Sequence, residues 1–201
     1  MAFAGAGSIL DRVMSSTIGD AFRHTAWRFP DRGFIAVPSA EGRGYHEAGL
    51  ELTYAAAALA IDALVERYRE AGYGLGHRVA VALDNRPEHI LHRLALNSLG
   101  ISCVPINPDY RPVEIAYLLD HSDGVLVVHL ERHRETIAAA NASLGRGIAT
   151  WCFEDGGDGF PNAPGAKVVG EVGPTAEAQL LYTSGTTGRP KGCIMSHQYE
   201  L

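Results

Sequence analysis

Two hydrophobic periods organise the chain. From Thr17 to Phe29, apolar residues at Ile18, Ala21, Phe22, Ala26 and Phe29 recur with helical spacing, and Pro30 stops the helix. Gly33–Pro38 reads as a short strand, and Gly42–Leu52 as a turn leading into a second one. Thr53 is a good N-cap for a long, Ala-rich helix over Tyr54–Ala71, which Gly72, Gly74 and Gly76 end. The pattern then becomes a repeat of short apolar runs and amphipathic segments. Strands are predicted at Arg78–Leu83, Ile101–Ile106, Gly124–Val128 and Ile148–Phe153. Helices are predicted at Pro87–Leu99 with Asn85 as cap, at Pro112–Leu119 with Pro in the first turn, and at Glu131–Leu144 closed by Gly145.

Apolar strands alternating with helices imply a mostly parallel, doubly wound α/β sheet with helices on both faces. This layer covers about residues 78–155. Asp155–Pro164 is polar and Gly-rich and reads as an exposed loop. Ala178–Tyr182 is a strand that runs into a Gly/Thr loop, and Gly192–Met195 continues as a strand. Ser196 then caps a helix that has completed one turn by Leu201. A single turn is unstable alone, so a C-terminal continuation is expected. The chain divides into 1–77, helices and short strands packing on the core, and 78–201, the α/β layer that ends in the loop at 182–192.

That loop carries the candidate chemistry. Gly185, Gly188 and Gly192 permit positive φ and close backbone approach. Consecutive exposed N–H groups can then form an anion-binding nest. Thr183, Ser184, Thr186 and Thr187 add hydroxyl donors, Lys191 adds a cation, and Pro190 stiffens the arm that carries it. The spacing is not that of the Walker loop, which counted from Gly185 needs glycine where this chain has Pro190. On composition alone, a flexible polar hairpin remains the competing reading.

Composition narrows the picture. The net charge of −6 disfavours nucleic acid as a partner. Of the 17 basic residues only Lys167 and Lys191 are lysine, and a compact ammonium suits a point contact with phosphate better than a planar fork does. Cys103, Cys152 and Cys193 are spaced neither for zinc nor for a disulfide framework, and read as buried or partly buried thiols. The N-terminus lacks a basic region followed by a long apolar run, and Tyr54–Val65 is too short to span a bilayer. A cytoplasmic location is expected.

The uninterrupted run Tyr182-Thr-Ser-Gly-Thr-Thr-Gly-Arg-Pro-Lys-Gly192 resembles the phosphate-loop motif of the adenylate-forming superfamily, which includes acyl-CoA synthetases, luciferases and nonribosomal peptide adenylation domains. Leu52-Thr53-Tyr54, Phe29-Pro30-Asp31-Arg32, Leu99-Gly100, Val104-Pro105-Ile106-Asn107-Pro108 and Glu114-Ile115-Ala116-Tyr117-Leu118-Leu119 are similar to further family elements, so the resemblance covers about 17–201. The resemblance implies that ATP and a carboxylate give an acyl-adenylate and pyrophosphate, and that a thiol, usually coenzyme A, then takes the acyl group. Thr183, Ser184, Gly185, Thr186, Thr187, Gly188 and Lys191 would hold the ATP phosphates, with Thr186 or Thr187 approaching Mg²⁺. His197 matches a His common just beyond the loop, and either lines the acyl pocket or starts a helix. The Val-Pro-Ile-Asn-Pro wording leans towards the acyl- or aryl-CoA ligases and their fatty-acid chemistry. The family's adenine-binding segment, acidic Mg²⁺ ligand, hinge and catalytic lysine are missing from these residues. The expectation is thus an N-terminal portion inactive by itself, with a truncated, non-catalytic nucleotide-binding or interaction module as the alternative.

Other features have plainer readings. His89 and His92 are three apart and His129 and His133 four apart, but in His-Leu-Glu-Arg-His the Glu stands one place late for a zinc-protease motif. Gly72-Tyr-Gly-Leu-Gly76 precedes a strand, whereas a dinucleotide fingerprint follows one. The acidic run at 154–159 does not meet calcium-loop spacing.

Overall fold

The computed structural model describes residues 17–156, 159–165, 168–183 and 189–201. Ile18–Arg28 forms α1, opened by a reciprocal cap in which Asp20 N–H donates to the Thr17 hydroxyl and the Thr17 N–H donates to the Asp20 carboxylate. β1 (Gly33–Val37) and β2 (Leu50–Thr53) pair antiparallel as a separate ribbon. The second strand is shorter than its predicted reach, because Gly42, Gly44, His46 and Gly49 all take positive φ and turn the chain before Leu50. Thr53 caps α2 (Tyr54–Glu70) as expected, accepting from the Ala56 N–H.

The main sheet comprises β3 (Arg78–Ala82), β4 (Ser102–Pro105), β5 (Leu126–His129), β6 (Ala149–Cys152), β7 (Glu177–Thr183) and β8 (Lys191–Ser196). Its order is β6-β5-β3-β4-β7-β8. Every pairing is parallel except β7 with β8, which a short loop joins as an antiparallel hairpin. The connecting helices are α3 (Pro87–Ser98), α4 (Pro112–His121) and α5 (Arg134–Ala142).

The two-residue period of β3 sorts the core into two layers. Val79 and Val81 face α1, α2 and α3, where they meet Phe22, Ile61, Leu91 and Leu94. Ala80 and Ala82 face α4 and α5 and meet Ile115, Leu118, Leu119 and Ile137. Both faces of the sheet are therefore covered around its central parallel strands, as continuous apolar strands demand, while the edge strand β8 is largely exposed.

Several boundaries differ from expectation, each with a local cause. The cap of α3 is Arg86 rather than Asn85. Arg86 precedes Pro87 and is held extended at φ −132°, ψ 160°, so the helix begins at the proline. Residues 131–133 form a 3₁₀ turn before α5 starts at Arg134, with the side chain of Asp84 tied to Arg132 and His133 there. Ser196 makes no side-chain cap to the last element, α6 (His197–Glu200). Its first donors go to backbone instead, His197 N–H to Ala176 O (3.1 Å) and Gln198 N–H to Pro174 O (2.8 Å). Cys103 and Cys152 are buried, but Cys193 is exposed on the outer strand β8.

Buried polar groups pin the elements to one another. The Asn97 amide donates to Ala178 O (2.7 Å), which joins α3 to β7. Arg78 on β3 grips Glu177 at the start of β7 through two contacts of 2.8 Å. His92 on α3 lies fully buried and pairs through Nδ1 with the Tyr68 hydroxyl of α2 (2.8 Å). Burial, with smaller contributions from His89 and Arg67, holds its pKa down to about 3. Its native form is thus neutral, while the unfolded chain takes up a proton near the ordinary value of 6.5. The stability it contributes is complete above that value and is lost as pH falls towards 3. The urea midpoint of the wild-type chain should drop between pH 6.5 and 4, and His92→Phe should drop less steeply. Equal slopes in the two proteins would remove His92 from the cause.

Candidate functional site

The loop at 184–190 hangs from the hairpin β7–β8. Thr183 and Lys191 stand directly opposite each other at its neck, and Tyr182 faces Gly192 one step below. Both Thr183 and Lys191 are exposed. The neck thus brings one hydroxyl and one ammonium to the mouth of the loop from opposite strands. Ser184, Gly185, Thr186, Thr187 and Gly188, including the expected Mg²⁺ contact at Thr187, lie outside the described residues, as does Lys167. β7 is parallel to β4, so the loop emerges at the carboxyl end of the parallel strands, the side where open α/β sheets place their ligands.

Helix α4 braces both arms of this hairpin. The Tyr117 hydroxyl donates to Pro190 O on the β8 side (3.0 Å), and the Arg189 guanidinium lies 5.6 Å from the centre of the Tyr117 ring. One turn further on, His121 Nδ1 meets the Tyr182 hydroxyl on the β7 side at 2.8 Å. Burial, followed by the neighbouring Tyr117, pushes the Tyr182 phenol up to about 12, so it is protonated at neutral pH. A Cβ on Gly192 would come within 3.0 Å of Leu180 Cδ1 and 3.4 Å of Tyr182 Cε1, so a bare glycine leaves room for those side chains across the strand pair. The motif's order drew attention to the loop, but not to these supports. The available signal was the i, i+4 spacing of two polar aromatic residues on a predicted helix, and His121 lay beyond that helix's predicted end.

A concavity of about 550 Å³ opens at the same end of the sheet, beyond β3, β4 and β5. Several charges in and beside it are paired with one another. Asp84 holds His133 Nε2 (3.0 Å) and Arg132, while Glu88 beside it holds Arg86 Nε and His46 Nε2 (each 2.7 Å). Burial alone would raise the Glu88 carboxyl, but these donors outweigh it and hold the pKa below the ordinary range. The four histidines of the two spaced pairs thus have partners within the protein. His92 and His133 are placed above, His89 Nδ1 meets Leu83 O (2.9 Å), and buried His129 meets Leu130 O (2.9 Å). Among the described residues, Glu131, Cys152 and Asp155 are gathered closely enough to share a cation, but Arg134 pairs with both carboxylates.

His197 is not brought to the loop. Ser196 pairs with Glu177, so His197 follows β8 at the amino end of β7, six residues from Lys191, with roughly 17 Å of strand between Lys191 and Ser196. It is fully buried, and its Nδ1 accepts the Ile18 N–H at 3.3 Å, satisfying one of the free donors at the start of α1. Burial lowers its pKa below the ordinary value.

Comparison with known proteins fits this architecture. The family model described as AMP-binding enzyme matches residues 22–201. The AMB antimetabolite synthetase AmbB of Pseudomonas aeruginosa is 37% identical over 176 residues, 88% of this chain and 13% of that protein. Sulfoacetate–CoA ligase of Cupriavidus necator is 30% identical, over 89% of this chain and 34% of its own length. A structure titled as a putative long-chain-fatty-acid CoA ligase from Rhodopseudomonas palustris superposes with a TM-score of 0.73 at 25% identity, covering 91% of this chain and 45% of that one. The chain spans about a third or less of these two curated relatives. With a mostly parallel sheet flanked by helices, and the loop motif at the carboxyl end of β7, the chain belongs to the AMP-binding enzyme family of adenylate-forming proteins.

Proposed function

We propose that this chain is the N-terminal portion of an ATP-dependent acyl- or aryl-CoA ligase, and that its part in the reaction is to grip the β- and γ-phosphates of ATP. The observation that carries this reading is the facing pair Thr183 and Lys191 at the neck of the Gly/Thr loop. A hydroxyl donor and a mobile ammonium at that point complement a polyphosphate, and the three loop glycines give backbone N–H groups room to approach it. The chemistry is attack of a carboxylate oxygen on the α-phosphorus, with the bond to the β,γ-pyrophosphate breaking. Negative charge accumulates on the leaving pyrophosphate, and preorganised donors stabilise it there. Mg²⁺, when bound, would neutralise part of the same charge, with Thr186 or Thr187 near it. Relatives named sulfoacetate–CoA ligase and feruloyl-CoA synthase favour coenzyme A as acceptor. A relative named as a peptide synthetase, phosphinothricin tripeptide synthetase PhsB, keeps a carrier-bound thiol as the second reading.

In the longer protein to which these residues are proposed to belong, Lys191→Ala and Thr187→Ala should each slow carboxylate-dependent ATP–pyrophosphate exchange by about a hundredfold, the loss typical of one transition-state donor, with little change in unfolding midpoint. Unchanged exchange in both variants would refute the role of the loop. The 201 residues alone should bind ATP yet give no exchange. Turnover by this chain would overturn its assignment as an incomplete catalytic unit.

A further inference from the structure

Tyr117 and His121 belong to no part of the reaction described above, yet they contact both arms of the hairpin that carries the loop. They stand four residues apart, so they share one face of α4 with their rings 5.5 Å apart. The face continues at either end, through the Arg189 guanidinium beyond Tyr117 and the Tyr182 ring 5.6 Å beyond His121. The outcome is a row, Arg189–Tyr117–His121–Tyr182, whose two ends belong to opposite arms of one hairpin and whose middle belongs to a helix. Behind it, Ile115, Leu118 and Leu119 fix α4 to the sheet.

We propose that Tyr117 and His121 are positioning residues for the phosphate loop, clamping its two stems to the helical layer. The inference rests on reading the loop as a phosphate grip. Its physical basis is the exposure of the neck. β8 is the outermost strand of the sheet and its first four residues are exposed. The ladder with β7 holds the two arms to each other but does not fix the direction in which the pair points. Tyr117 supplies that through the Pro190 carbonyl, one residue before Lys191, and His121 supplies it through Tyr182, one residue before Thr183. Each bond therefore acts next to one of the two residues that face the phosphates. Loops held in place before binding lose less freedom when the ligand arrives, which is the source of the expected gain in affinity.

The test uses the 201-residue chain with Tyr117→Phe and His121→Phe, which keep the rings and remove the polar atoms. Hydrogen exchange of amides 182, 183, 191 and 192 is followed beside that of Val79–Val81, and tripolyphosphate binding is measured by calorimetry. Loss of one hydrogen bond should speed exchange at the stems by about fivefold in each variant and weaken tripolyphosphate by a similar factor, with β3 unchanged. Unaltered stem exchange in both variants overturns the clamp. Faster stem exchange with undiminished tripolyphosphate affinity overturns the positioning role, since the bonds then serve the hairpin alone. A wild-type chain that does not bind tripolyphosphate overturns the phosphate reading and this inference with it, a result distinct from the other two because it appears before any substitution is made.

Discussion

A parallel sheet has no face to offer water, and that constraint shapes most of this molecule. The central strand β3 sends valines to one side and alanines to the other, and each set must be covered. Helices α1, α2 and α3 close the first side, and α4 and α5 close the second. Because parallel strands need crossovers, every strand from β3 to β5 is followed by a helix, and their carboxyl ends line up on one edge. The loop between β7 and β8 opens on that edge for the same reason. Its position follows from burying the sheet, and its chemistry from the residues placed there.

The antiparallel hairpin at the sheet's end is the departure that shapes the candidate site. A crossover after β7 would have carried the chain away over a helix. The short return brings Lys191 back against Thr183, so that a cation from one strand and a hydroxyl from the next meet at one neck. The edge strand this creates has little support of its own, and the aromatic face of α4 provides some. At the opposite end of the same two strands, Arg78 and Asn97 fix β7 to β3 and α3, and His197 closes the start of α1. One end of the hairpin is thus locked in the core while the other is free to meet a ligand.

Much of this was legible in the sequence because it depends on local pattern. The run Arg78–Leu83, the capping Thr53 and the proline at the start of α4 each announce an element within a few residues. The order of residues from Tyr182 to Gly192 announced the loop. Apart from the start of α3, which turns on the adjacent Pro87, what could not be read depends on partners far along the chain. Asn85 looked like a cap until Pro87 fixed Arg86 as extended. Ser196 does stand at the N-cap of α6, but the first N–H donors go to the carbonyls of Ala176 and Pro174 and not to its hydroxyl. His121 and Tyr182 are 61 residues apart, and nothing in either neighbourhood points to the other. His197 left two readings open, pocket lining or helix start; it begins α6, and an extended β8 carries it to the other end of the sheet from the loop.

The central claim is that the Gly/Thr loop at the carboxyl end of β7 is where this chain holds a nucleotide's phosphates. Amide chemical shifts followed by NMR during an ATP titration of the 201-residue chain test it most directly. The account predicts saturable shifts concentrated at residues 183–192, reproduced by tripolyphosphate and absent with adenosine. Shifts centred on the cleft around Asp84 and Arg132, or equal shifts with adenosine, would contradict it.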